Sequence, residues 1–254
     1  MHTTLDLNVT YYDSPRHEGM TESQLQRRDL HWQLPINQIA LILVDVWSEH
    51  YLATHLERAI HMVDERIVPI TEAFRKLGVL VVHAPSPDCA RKYPQWLEEE
   101  IPEPTHPHSD WPPENFRRKT DVFAPYARPK REHSAEFDRI LHERQIAPQV
   151  HPKGNDRVVT NGESLHHLLQ RRGALFLFYM GFAANICVPF RDYGMRAMKD
   201  RGYEIILVED CTTACEVAET VPNLLLSRAA TIDTALTIGY TLNSSTLLRA
   251  CHKE

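Results

Sequence analysis

The chain has 254 residues, and 28 Lys+Arg against 34 Asp+Glu leave a net charge of −6, which argues against a protein built mainly to hold nucleic acid. Apolar residues make up 43% and charged residues 24%, an ordinary globular mix that excludes disorder as a description of the whole. The length fits one large α/β domain.

No apolar run approaches the roughly 18 to 20 residues of a membrane-spanning helix, and the first twenty residues carry no charged region followed by an apolar one. The expectation is a cytoplasmic protein without membrane contact. The five cysteines, Cys89, Cys187, Cys211, Cys215 and Cys251, are odd in number and form no CxxC pair, so they read as free thiols. Cys211 and Cys215 read as packing residues.

In chain order, residues 1–37 precede the first strand and read as an N-terminal arm that packs on the domain or stays a tail. Residues 38–254 read as the domain itself. Four short apolar runs, Ile39 to Val46, Val79 to Ala84, Ala174 to Met180 and Glu204 to Glu209, are continuous rather than alternating. Such strands are covered on both faces, as in a parallel sheet between helices. Residues 54–77 space apolar side chains at three and four and stop at Gly78, and helices ending in glycine recur at Gly173 and Gly202. Weaker strands near Gln149 to Pro152 and Ile238 to Leu242 complete six, with Ser244 capping the last helix. The predicted fold is a three-layer α/β/α, Rossmann-like domain with a mostly parallel six-stranded sheet. Its chemistry belongs outside the carboxyl ends of the strands.

Residues 85–129 break the rhythm, holding ten of the 17 prolines and none of the nine glycines. A stiff excursion of this length reads as a lid or binding loop, or as an exposed insertion without function. Arg117, Arg118, Lys119, Arg128, Lys130 and Arg131 make its end basic, which over a pocket favours an electron-rich small substrate and otherwise is a solvated face. Trp96, Trp111, Phe116, Phe123 and Tyr126 wall a site or pack the lid itself.

Three polar residues stand at predicted strand ends. Asp45 closes an apolar run, where a carboxylate is either a paired structural group or a general base with a raised pKa. Cys187 follows the fourth strand through Gly181-Phe182-Ala183-Ala184-Asn185-Ile186, with Val188-Pro189 next, which places it at the start of a helix and favours thiolate. Lys153, in His151-Pro152-Lys153-Gly154, follows the predicted third strand and would steady an anion if it met the other two.

These positions and their contexts resemble the isochorismatase-like cysteine hydrolases, a superfamily that includes nicotinamidases, N-carbamoylsarcosine amidase, ureidoacrylate hydrolase and biuret hydrolase. The resemblance runs over residues 38 to 250. It implies a catalytic triad of Asp45, Lys153 and Cys187, a cis peptide at Phe182-Ala183, and an oxyanion hole made by the backbone N–H groups of Ala183 and Cys187. Ala184 stands where many members have threonine. It further implies hydrolysis of a C–N bond in a small amide, ureido or carbamoyl substrate through a thioester, and a homo-oligomer, dimer or tetramer. Trp47, His83, Arg117, Phe123 and Tyr126 are the pocket candidates, His83 doubling as a hydrogen-bonded strand-end residue. No cofactor is expected. The Asp-x-His pair of the metal-binding nicotinamidases is missing after the second strand, and His106, His108 and Asp110 read as surface, so no metal is expected. The rival readings are vinyl-ether hydrolysis of the isochorismate type and a catalytically silent binding protein on the same fold.

Overall fold

The computed structural model describes residues 3–97 and 111–252. Among these, one eight-stranded sheet runs β2-β1-β8-β7-β6-β3-β4-β5. The strands are β1 (Thr4–Asp13), β2 (Gln26–Pro35), β3 (Ile39–Val44), β4 (Leu80–Ala84), β5 (Arg157–Val158), β6 (Phe176–Phe182), β7 (Glu204–Thr213) and β8 (Tyr240–Leu242). Strands β3 to β8 pair in parallel, as the continuous apolar runs require. Six strands were expected; the two additional ones are β1 and β2, an antiparallel hairpin that joins the sheet where Thr10 meets Thr241.

Every residue of β3 and β4 is buried, and alternate side chains feed two separate cores. On one face Leu41, Leu43, Val81, Phe178 and Ile206 pack with Ile67, Ile70 and Phe74 and with Leu247 of the last helix. On the other Ala40, Ile42, Val82, Tyr179 and Leu207 pack with Leu165, Leu169 and Met198. At about 25 cal/mol per Å² of apolar area removed from water, these two layers are the main drive to this fold.

The helix expected over 54–77 forms as Ala53–Met62 and Val68–Lys76, joined by a widened π turn at Val63–Ile67. Pro69 explains the interruption, because its ring nitrogen cannot donate back to the preceding turn. Gly78, at φ 76°, then reverses the chain into β4.

The strand expected at Gln149 to Pro152 is absent from the described structure. Pro148–Val150 is a single 3-10 turn, and the edge strand comes later, at Arg157–Val158. The correction moves Lys153 from the carboxyl end of a strand to the segment before one. No helix among the described residues is long and apolar enough to cross a membrane.

Candidate active site

Two adjacent central strands, β3 and β6, deliver the chemical groups. Their ends approach unusually closely: Gly181, paired with Val44 and at φ 113°, lies where a Cβ would stand 2.0 Å from the Val44 carbonyl oxygen. Only glycine admits that contact. Directly beyond it the chains diverge into Asp45 on one side and the Phe182-to-Cys187 turn on the other.

Asp45 takes a left-handed backbone conformation at φ 47° and anchors its amide on the Ala84 carbonyl at 3.2 Å. Its side chain is 1% exposed, and neither carboxylate oxygen has a hydrogen-bond partner of ordinary geometry. Its neighbours are the Cys187 thiol and the Arg191 guanidinium, the latter 3.7 Å from Oδ2. Burial pushes the carboxyl up to about 6, with the thiol, Arg191 and Arg144 pulling the other way.

Cys187 begins the short helix Cys187–Phe190 and is half-buried. The preceding Phe182-Ala183 peptide is cis. The Ala183 carbonyl accepts from the amides of Ile186 (3.1 Å) and Val188 (3.2 Å), which folds the turn tightly. Asn185 braces it from outside: its side chain accepts from the Cys215 amide at 3.0 Å and donates to the Cys215 carbonyl at 3.2 Å. Burial first, and the Asp45 charge second, push the thiol up to about 11, while Arg191 lowers it. The sequence-based expectation of a depressed thiol pKa is therefore corrected. Four residues of helix do not offset the loss of hydration beside a carboxylate.

Lys153 does not join this pair. Its Nζ bonds Glu72 at 2.9 Å, its side chain is 58% exposed, and it lines a cavity with Gly78, Val79 and Leu80, which lead into the amino end of β4. That is the opposite end of the strands from Asp45, which follows the carboxyl end of β3. The polar residues that do follow the carboxyl end of β5 are Thr160 and Asn161, the latter capping the helix Gly162–Arg172 by accepting from the Ser164 amide at 2.8 Å. The cations acting on Asp45 are arginines.

Sequence reading did not single out either arginine as a site residue. Arg191 lies four residues after Cys187, one helical turn on, a spacing that could have flagged it. Arg144 arrives by a tertiary route: residues 145–147 run antiparallel to 46–48, through Ser48 N–H to Gln145 (2.8 Å) and Ala147 N–H to Val46 (2.8 Å). This lays the Arg144 guanidinium over the Trp47 ring at 4.1 Å.

The remaining pocket candidates separate. Trp47 sits beside the site but buried beneath Arg144. His83 is corrected: it is 1% exposed and its Nε2 faces Asp156 Oδ2 at 3.3 Å, inside a network in which Arg75 bonds the same carboxylate at 2.5 Å. It is the hydrogen-bonded strand-end histidine. Phe123 packs edge-on against Phe116 at 5.2 Å, and Tyr126 is 72% exposed. With Arg117 in the helix Glu114–Arg118, they belong to a small unit that packs on itself. His106, His108 and Asp110 lie outside the described residues. A cavity of about 650 Å³ lies between the β1–β2 hairpin and the last helix, and neither Asp45 nor Cys187 lines it. Its charged walls already pair internally, as Arg27 does with Glu209 at 2.6 Å. Volume alone is a poor guide here, and the half-buried Cys187 beside a buried carboxylate marks the chemistry better.

The Cys187 thiol and the buried Asp45 carboxylate thus stand beyond the ends of two adjacent parallel strands of one α/β sheet. The isochorismatase domain family profile matches residues 39–235, and the chain belongs to that family. Solved structures of similar fold include a cysteine hydrolase from Pseudomonas syringae pv. phaseolicola 1448A, at 16% identity over 87% of this chain and 95% of that one, with a TM-score of 0.57. An isochorismatase from Pseudomonas putida KT2440 matches at 18% identity over 83% and 90%, TM-score 0.49. N-carbamoylsarcosine amidase from Thermoplasma acidophilum matches at 18% identity over 82% and 96%, TM-score 0.47. At such identities the likeness is one of fold. No curated protein matches the chain in sequence.

Proposed function

We propose that the protein hydrolyses a C–N bond of a small amide, ureido or carbamoyl compound through a thioester on Cys187. The observation that carries this reading is a half-buried cysteine beside a buried carboxylate that has no competing hydrogen bond. At neutral pH the carboxyl, with its pKa about 6, is ionised and the thiol, about 11, is not. Asp45 accordingly acts as base: it takes the thiol proton as sulfur bonds to the substrate carbonyl carbon. The carbonyl oxygen becomes an anion that receives hydrogen bonds from the Ala183 and Cys187 amides, and Arg191 compensates charge on sulfur and carboxylate alike. Collapse breaks the C–N bond, and protonated Asp45 returns its proton to the leaving nitrogen. A water deprotonated by the same carboxylate then cleaves the thioester and frees the thiol.

In this reading arginine takes the cationic part that the family resemblance implied for Lys153. Ammonia or amine release across ureido acids, carbamoylated amines, biuret-like compounds and simple amides tests the reading. Turnover of one class, abolished in Cys187→Ala, is expected. Turnover undiminished in Cys187→Ala would remove covalent catalysis and favour vinyl-ether chemistry, and silence across the panel in a folded protein would favour a binding role.

A further inference from the structure

A second cluster of reactive side chains lies behind the nucleophile's turn and takes no part in the steps above. His50 follows Trp47 on the loop beyond Asp45, His55 stands in the helix Ala53–Met62, and Cys215 comes just after β7. Their ligand atoms all lie within 4.8 Å of one another. His55 is buried while His50 and Cys215 are half-buried, so the cluster is covered yet reachable.

The surroundings hold the donors in place. The Ala214 carbonyl can only accept, so its 3.1 Å contact fixes the proton of His55 on Nδ1 and leaves Nε2 as the ring's lone-pair nitrogen, while the Cys215 sulfur stands 4.0 Å from Nδ1. The Cys215 backbone is clamped on both sides by Asn185. The His50 ring stacks on Tyr51 at 4.4 Å between centroids and lies 4.7 Å from the His55 ring. Two imidazoles and a thiol suit a zinc-class divalent ion, and three protein ligands leave a fourth position open.

We propose that His50, His55 and Cys215 form a binding site for a zinc-class divalent cation, separate from the Asp45–Cys187 pair. Tetrahedral zinc ligands stand roughly 3.3 to 3.6 Å apart, so the donors draw together by about 1 Å on binding. Binding releases the Cys215 thiol proton to solvent, and the Leu52 N–H donated to His50 Nδ1 at 3.0 Å orients that ring beforehand.

The test uses chelator-treated full-length protein titrated with Co²⁺ and then with Zn²⁺ in competition. Expected are one ion per chain, a thiolate-to-cobalt charge-transfer band, and displacement of that band by zinc. Cys215→Ser should abolish the band, and His55→Gln and His50→Gln should each weaken affinity, the former more than about 100-fold. Cys187→Ser should leave cobalt binding intact, which separates this site from the hydrolytic one whatever the outcome of the activity panel. Circular dichroism checks folding, and His50→Gln, at a half-exposed position, carries the test if the Cys215 variant fails to fold. Absence of the charge-transfer band, its survival in Cys215→Ser, or its loss in Cys187→Ser would each overturn the proposal.

Discussion

The Arg191 guanidinium lies 3.7 Å from the Asp45 carboxylate and also acts on the Cys187 thiol, so one cation faces both partners of the proposed proton transfer. Removing it raises the Asp45 pKa further and makes a thiolate harder to form. Arg191→Ala should lower kcat/KM by about 100-fold or more and move the acid limb of its pH profile above the wild-type position near pH 6. Arg191→Lys should restore part of both. A profile unmoved by Arg191→Ala would show that the guanidinium has no electrostatic hold on the base.

Asp45 also leaves a signature in stability. Its carboxyl pKa stands higher folded, about 6, than in the unfolded chain, about 4, so the folded state binds the proton more tightly. Stability therefore declines as pH climbs between those values and levels above them, by about 3 kcal/mol from this group. Asp45→Asn carries no such charge. It should match the wild type below pH about 4 and melt several degrees higher at neutral pH, while losing activity. Thermal melts of both proteins across pH decide it; equal melting temperatures at neutral pH would mean that the buried carboxylate is better solvated than its unpartnered oxygens indicate.

The parts of this architecture that were legible in the sequence are those governed by local pattern. Ile39 to Val44 and Leu80 to Ala84 announce themselves because both faces are buried, and Asp45 stands out as a carboxylate ending such a run. Cys187 is legible because a glycine-led turn separates it from β6. The third strand was misread because β5 has only two residues, so no apolar run of strand length marks it. Lys153 was misplaced with it. Arg144 was beyond local reading altogether, since a strand-like contact between residues 46–48 and 145–147 brings it to Trp47. The hairpin of residues 4–35 was read only as an arm, because β2 is almost wholly exposed and lacks an apolar run.

Lys153 therefore offers a direct contrast. Its ion pair with Glu72 is a surface contact, worth less than about 1 kcal/mol. Lys153→Ala should leave kcat and KM within about twofold of wild type and stability within that margin. A loss of activity of 100-fold would return the lysine to the catalytic machinery and place its ammonium near Cys187 during turnover.

Gly181 is where fold and site meet. An alanine there would drive its Cβ to 2.0 Å from the Val44 carbonyl oxygen at a backbone angle that L-residues avoid. Backbone cannot yield as a flexible side chain does, so β3 and β6 must part at the positions that aim Asp45 and Cys187. Gly181→Ala should destabilise the protein by at least about 3 kcal/mol, read by denaturant unfolding. Whatever folded fraction remains should show reduced kcat, because the carboxylate and sulfur no longer meet.

Thiol modification separates the two effects that Asp45 has on Cys187. If the carboxylate only served as a base, its removal would slow every reaction of the sulfur. Its charge, however, also raises the thiol pKa, second in importance to burial. Asp45→Asn should therefore alkylate faster than wild type at about pH 9, where thiolate supply limits the rate, even though it fails to turn over substrate. Buried Cys89, Cys211 and Cys251 contribute little, and a Cys215→Ser background removes the other half-buried thiol. The measurement is the iodoacetamide rate at Cys187 by peptide mass spectrometry across pH. A slower rate in Asp45→Asn at alkaline pH would mean that proton removal by the carboxylate, and not the field it creates, governs the reactivity of this sulfur.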